Sequence, residues 1–155
     1  MTAYEHLIQA LCASLQIEAD ADSDALLLET PDHDAFVSAQ PSPSGAQGLL
    51  VRVSVRTLTE ADPHDMADAL KMLHRLNHNA RSMSPWRIVL DADEALSIQQ
   101  WCALDQIDAD GLQQVLIDGL ERAGLLHSML AQALPDSEGP SEHGSPALSS
   151  HVIFG

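Results

Sequence analysis

Basic side chains are scarce in this chain: seven lysines and arginines stand against 23 aspartates and glutamates, for a net charge of −16. So few cations cannot neutralise a phosphate backbone, which argues against a nucleic-acid partner, and anionic lipid repels the same charge. Aromatic residues are scarcer still. Tyr4, Phe36, Trp86, Trp101 and Phe154 are all there are, so the core has to be built from Leu, Ile, Val, Ala and Met, a composition that tolerates repacking. The two cysteines, Cys12 and Cys102, show no paired spacing of the kind that marks a disulfide framework or a zinc site. Buried free thiols in a reducing compartment are the expectation. No run is long and apolar enough to span a bilayer, and the N-terminus, with Glu5 where a basic region would stand, shows no signal-peptide pattern.

What is present is organised around residues 62–104. Asp62 is an N-cap, Pro63 takes the first helical position where its missing N–H costs nothing, and Asp65 sits at the positive end of the helix dipole. Met66, Ala69, Leu70, Leu73, Asn77 and Ala80 then recur at threes and fours, an apolar stripe that weakens to polar Asn77. After Ser84-Pro85, Trp86, Ile88 and Leu90 alternate with Arg87, Val89 and Asp91. Asp91-Ala92-Asp93-Glu94 is turn chemistry, and Leu96, Ile98, Gln100 and Cys102 alternate with Ser97, Gln99, Trp101 and Ala103 in an answering strand.

The flanks follow the same logic. Tyr4, Leu7, Ile8, Leu11, Cys12 and Leu15 predict a helix over 3–17, opened by a Thr2/Glu5 capping box. Strands are predicted at 25–30 and, more weakly, at 35–40 around Phe36, with Asp32-His33-Asp34 as the turn between them. Residues 48–58 alternate most clearly: Val51, Val53 and Val55 share one face, and Leu50, Arg52, Ser54 and Arg56 share a second, half-solvated one. Asp108 or Asp110 caps a last helix reaching Leu134, stopped by Pro135, with Gly119 and Gly124 inside it for close packing or a bend. At 155 residues and 45% hydrophobic content, one α+β domain over 1–134 is expected, burying roughly 70% of its extended-chain surface. Residues 135–155 read as a flexible, mostly disordered tail, with Val152-Ile153-Phe154 its one apolar piece.

Candidates for chemistry are thin. His74 and His78 sit four apart on a helix without a third ligand or a metalloprotease Glu, which suits a solvated helix face. Asp108-Ala109-Asp110-Gly111 lacks the closing Glu of a calcium loop and is better explained as a cap. Ser42, Ser44, Ser82 and Ser84 have no nucleophile setting, and core burial suits Cys12 and Cys102 better than catalysis. Ordinary packing likewise suits Trp86 and Trp101 better than a ligand-stacking pair.

The order helix, three strands, helix, two strands, helix (α-β-β-β-α-β-β-α, an antiparallel sheet packed with helices) resembles the class I type III secretion chaperones, the Tir-chaperone family of bacteria. The likeness is carried by YEHLIQALCASL, by the middle helix ending in LHRLNHNA, by the WRIVLDADEALSI hairpin and by DADGLQQVLIDGLERAGLL. It implies a bacterial cytoplasmic homodimer with no enzymatic activity, cofactor or metal. The implied partners are the N-terminal segment of a secreted effector, kept soluble and secretion-competent, and the ATPase of the secretion system. A small acidic regulatory adaptor unrelated to secretion shares every composition argument, and a small enzyme would need a nucleophile with its base.

Two residue sets follow. An extended client added at a sheet edge would use Leu7, Leu11, Leu15, Leu28 and Phe36, with most weight on Leu28 and Phe36 because Leu7 and Leu11 also suit a core. A homodimer would use Met66, Leu70, Leu73, Trp86, Ile88 and Leu90, a single protomer having no obvious second layer for helix and hairpin together.

Overall fold

The computed structural model describes residues 1–18, 24–58 and 61–134, the side chains of Ala80 and Ser82 excepted. The tail expected over 135–155 lies outside the described residues. Helix α1 spans Ala3–Leu15, strands β1, β2 and β3 span Ala25–Glu29, Asp34–Ala39 and Gly48–Thr57, and helix α2 spans Pro63–His78. A short helix α3 (Ala80–Met83), strands β4 (Arg87–Leu90) and β5 (Ala95–Ala103), a 3-10 turn and helix α4 (Ala109–Ala133) complete the order. The α+β architecture is the expected one, with α3 and the 3-10 turn added.

Local chemistry sets the ends of these elements. The Thr2 hydroxyl accepts from Glu5 N–H at 3.2 Å while the Glu5 carboxylate accepts from Thr2 N–H at 2.6 Å, the reciprocal pair that begins α1. Asp62 accepts from His64 N–H at 2.9 Å and Asp108 from Gly111 N–H at 2.8 Å, opening α2 and α4. In the β4–β5 turn, Asp91 Oδ1 accepts from Asp93 and Ala95 N–H, and Glu94 takes a left-handed φ of 58°.

The sheet is antiparallel throughout, in the order β1-β2-β3-β5-β4. Register places Leu28, Ala35, Val53, Ile98 and Ile88 in one row on one face, with Leu26, Val37 and Val51 beside them. Helix α4 packs across this face at β3 and β5, and α1 packs against α4. Leu11, Leu112, Leu116, Ala123 and Leu130 are buried between them. Tyr4 ties α1 to the sheet by donating its hydroxyl to the Val37 carbonyl at 3.0 Å. Burial, with the Asp24 and Cys12 charges adding to it, pushes the Tyr4 phenol up to about 12.

Trp86 locks α4 to the hairpin. Its side chain is fully buried, with Nε1 donating to Asp118 Oδ2 at 2.6 Å, and Asp118 also accepts from Arg122 Nε at 2.8 Å. Gly119 makes room for the indole: a Cβ there would lie 2.6 Å from Trp86 Cη2 and 3.0 Å from Val53 Cγ2. Gly124 has no such neighbour, since the nearest atom to its Cβ position is His33 Nε2 at 3.9 Å.

Alanine at these two glycines is therefore expected to act with opposite sign. Helix propensity favours each change by about 1 kcal/mol, but at Gly119 overpacking against a pinned indole costs about 1–3 kcal/mol. Urea titration should show Gly124→Ala stabilised and Gly119→Ala destabilised; two stabilised variants would refute the Trp86 lock. A second expectation concerns alkaline pH. Because the folded phenol titrates near 12 against an ordinary 10, its contribution to stability is complete below pH 10 and is lost between pH 10 and 12. The chain has one tyrosine, so tyrosinate absorbance reads this group alone and should rise near pH 12; a midpoint near 10 would contradict the burial.

Candidate functional site

Among the described residues, helices cover one face of the sheet and leave the other open. The alternation of β3 had separated Leu50, Arg52, Ser54 and Arg56 from the valines, and all four are half-buried while Val51, Val53 and Val55 are buried. Register extends the open face across all five strands as the row Leu27, Phe36, Arg52, Gln99, Arg87. A neighbouring row holds Ser38, Leu50 and Trp101. Phe36 is 41% exposed and Trp101 38%, large values for aromatic side chains on a sheet. Trp101 is nevertheless fixed: its Nε1 donates to the Gln40 carbonyl at 2.9 Å, and its ring lies over Gly48, whose Cβ position is 2.2 Å from Trp101 Cζ2. Arg52 Nε is buried with no hydrogen-bond partner.

The client residues expected from the sequence do not form one surface. Leu7 and Leu11 are buried in the core under α1, and Leu15 is half-buried near the end of that helix. Leu28 lies on edge strand β1 but on the helix-covered face, partly buried against the core. Phe36 lies on the open face of β2, an internal strand rather than an edge. Leu28 and Phe36 are grouped in the sequence by their expected nearness to a sheet edge, and alternation does not say which face of each strand a helix covers.

The residues expected at a dimer contact divide in the same way. Leu73, Trp86 and Ile88 are buried within the protomer, whereas Leu70 and Leu90 are each 40% exposed and Met66 is half-buried. The expectation that one protomer lacks a second layer for the hairpin is overturned, because α4 supplies it. Asn77 is the residue that local patterning missed. Its Nδ2 donates to the Ile88 carbonyl at 2.9 Å and its Oδ1 accepts from Ile88 N–H at 2.8 Å, so the side-chain amide stands where a further strand would pair with β4. Polarity at that point of the stripe was the available signal. Nearby, a cavity of about 470 Å³ opens between α2, α3 and α4, lined by Leu76, Met83, Leu125, Leu126 and Met129 with Asp118, Glu121 and Arg122 at its polar side.

The remaining candidates are placed plainly. Burial pushes both thiols up, Cys12 and Cys102 alike, although a hydrogen bond with Gln100 draws Cys102 partly back; a raised thiol is a poorer nucleophile at neutral pH. His74 and His78 are exposed, rings 4.2 Å apart, and the His78 Nδ1 lies 3.1 Å from the His74 carbonyl. Among the described residues no group of three or more His, Cys, Asp or Glu side chains is placed to hold a metal ion. No described helix is long and apolar enough to cross a membrane.

No family model and no curated protein sequence matches the chain. Solved structures resemble it in fold. One is a chain of the HopA1–SchA chaperone–effector complex, with TM-score 0.63 and 13% identity over 81% of this chain and 94% of that one. Another is a chain of the heterodimeric ExoU–SpcU complex from the type III secretion system of Pseudomonas aeruginosa, with TM-score 0.59 and 18% identity over 84% and 99%. A third comes from the Yersinia pestis type III secretion chaperone SycH in complex with a stable fragment of YscM2, with TM-score 0.50 and 19% identity over 79% and 98%. The chain thus has the α+β fold of type III secretion chaperone structures, at identities where likeness speaks of fold alone.

The Asn77–Ile88 pairing generates its own expectation. Asn77→Ala strips a donor and an acceptor from two partly buried backbone groups, a loss of about 1–3 kcal/mol. Hydrogen exchange should show the Ile88 amide losing protection before the amides of β3; unchanged protection at Ile88 would contradict the pairing.

Proposed function

We propose that this protein is a type III secretion chaperone: it binds the N-terminal segment of a secreted effector and holds it soluble and competent for export. The supporting observation is a sheet that the described helices cover on one face only, which leaves the apolar face of Phe36, Leu27, Leu50 and Trp101 open among the described residues, in a chain with the fold of chaperone–effector structures. An unfolded effector segment presents scattered apolar side chains and unpaired backbone groups. The open face takes the former, and edge strand β1, with Leu28 on it, takes the latter by strand addition. Covering a few leucine-sized side chains contributes about 1.5–3 kcal/mol each, which offsets the cost of ordering the segment without any chemistry. The finer reading is a member of the Tir-chaperone family acting in the bacterial cytoplasm, with no catalytic role, which hands its client to the ATPase of the secretion system.

The working unit in this reading is a homodimer. Met66 and Leu70 on α2 and Leu90 at the end of β4 supply exposed apolar surface on one flank, and Leu73, Trp86 and Ile88 support it from within the protomer.

Two measurements test the proposal. Co-expression with secreted proteins encoded beside this chain should render one of them soluble and co-purifying through its N-terminal segment, and Phe36→Asp should abolish co-purification while fold and dimer persist. Retained binding in that variant would remove Phe36 and the open face from the proposal. In sedimentation at micromolar concentration the wild type should run as a dimer and Leu70→Glu as a folded monomer, since an apolar contact would then bury an unpaired charge. Leu73→Glu should instead lose the fold, because Leu73 is 5% exposed within one protomer. A monomeric wild type would end the dimer assignment.

A further inference from the structure

The middle row of the open face carries charge opposite to that of the whole molecule. Net charge is −16, yet the row crossing the middle of the sheet, Leu27, Phe36, Arg52, Gln99 and Arg87, holds two of the chain's seven cations and no acid. Glu29 and Asp34 lie in the next row, at the β1–β2 corner, directly opposite one another. Asp34 is anchored there through its N–H, which donates to the Ser54 hydroxyl at 2.8 Å. Among the described residues Lys71 and Arg122 have carboxylate partners, Asp68 and Asp118, whereas Arg52 has none, and its buried Nε makes no hydrogen bond. Arg87 donates from Nη1 to the Trp86 carbonyl at 3.2 Å and has no salt bridge among the described residues.

A half-buried guanidinium with an unpartnered N–H has lost part of its hydration before anything binds. A carboxylate arriving at the guanidinium therefore meets less of the desolvation cost that usually cancels a buried ion pair. It also meets apolar neighbours that lower the local dielectric. Spacing adds a constraint. Neighbouring strands lie about 4.8 Å apart, so Arg52 sits roughly 7 Å from the middle of the Leu27–Phe36 pair, which is the distance between side chains two residues apart on an extended chain.

We propose that the segment held on this face is extended and carries an aspartate or glutamate two positions from a large apolar residue, the apolar side chain on Leu27 and Phe36 and the carboxylate on Arg52. This deepens the chaperone reading and rests on it. It also separates two electrostatic roles: the net negative charge of the chain attracts basic stretches of a client during approach, over a screening length of about 8 Å, and Arg52 selects an acid at contact.

The test is selection of random phage-displayed peptides, long enough to cross the sheet, on the full-length protein. Recovered peptides should be enriched in Asp or Glu two positions from Leu, Ile, Val or Phe. A synthetic recovered peptide should bind about tenfold more weakly when its acid is changed to the amide, and about tenfold more weakly to Arg52→Gln, without further loss when both changes are combined. Arg52→Lys should fall between, keeping charge and losing the planar fork. Peptides that need Phe36 but show no acid enrichment, favour Lys or Arg, or ignore Arg52→Gln would overturn this proposal and leave the open-face reading standing. Peptides that bind Phe36→Asp as well as wild type, or a selection that recovers none, would overturn both.

Discussion

The structure depends on one helix being pressed flat against a sheet. α4 crosses β3 and β5 because Gly119 lets the Trp86 indole lie against the helix backbone, and Asp118, one residue earlier, accepts the indole N–H. A bulkier residue at 119 would lift the helix by the size of a methyl group, and Leu112, Leu116, Leu126 and Leu130 would lose contact together. With α4 seated, α1 packs on α4 and closes the remainder of that face. No described helix is left for the other face, so its exposure follows from where α4 goes.

The sequence showed much of this, and unevenly. Caps and turns are local chemistry, and Thr2, Glu5, Asp62, Asp91 and Asp108 do what their positions imply. Strand alternation is local too, and the division of β3 into valines and Leu50/Arg52/Ser54/Arg56 was legible. The face that a helix covers is a tertiary fact. The indole of Trp86 meets a carboxylate 32 residues away, and nothing near Trp86 in the chain announces it. Leu73 and Ile88 were therefore counted as surface in want of a partner, when the protomer covers them itself. The short helix Ala80–Met83 is not legible in the pattern, because Ala80 continues the stripe of α2.

Electrostatics illustrates the difference between a total and a location. A charge of −16 describes the field at a distance, whereas Arg52 and Arg87 set the charge along the middle row of the open face. A strongly acidic total leaves the composition of any one face free to differ from it.

Asn77 has a consequence for how far a sheet of this kind can extend. Fibrous growth needs each added chain to present a fresh edge equivalent to the one it covered, so that addition repeats. β4 is four residues long, and the outward amide and carbonyl of Ile88 are already held by the Asn77 side chain, which leaves Leu90 as its remaining outward residue. A strand laid on β1 would therefore meet a sheet whose far side is stoppered, and two such copies would have no matching edges through which to polymerise. Closure of one edge keeps strand addition from repeating, whatever is laid on the other.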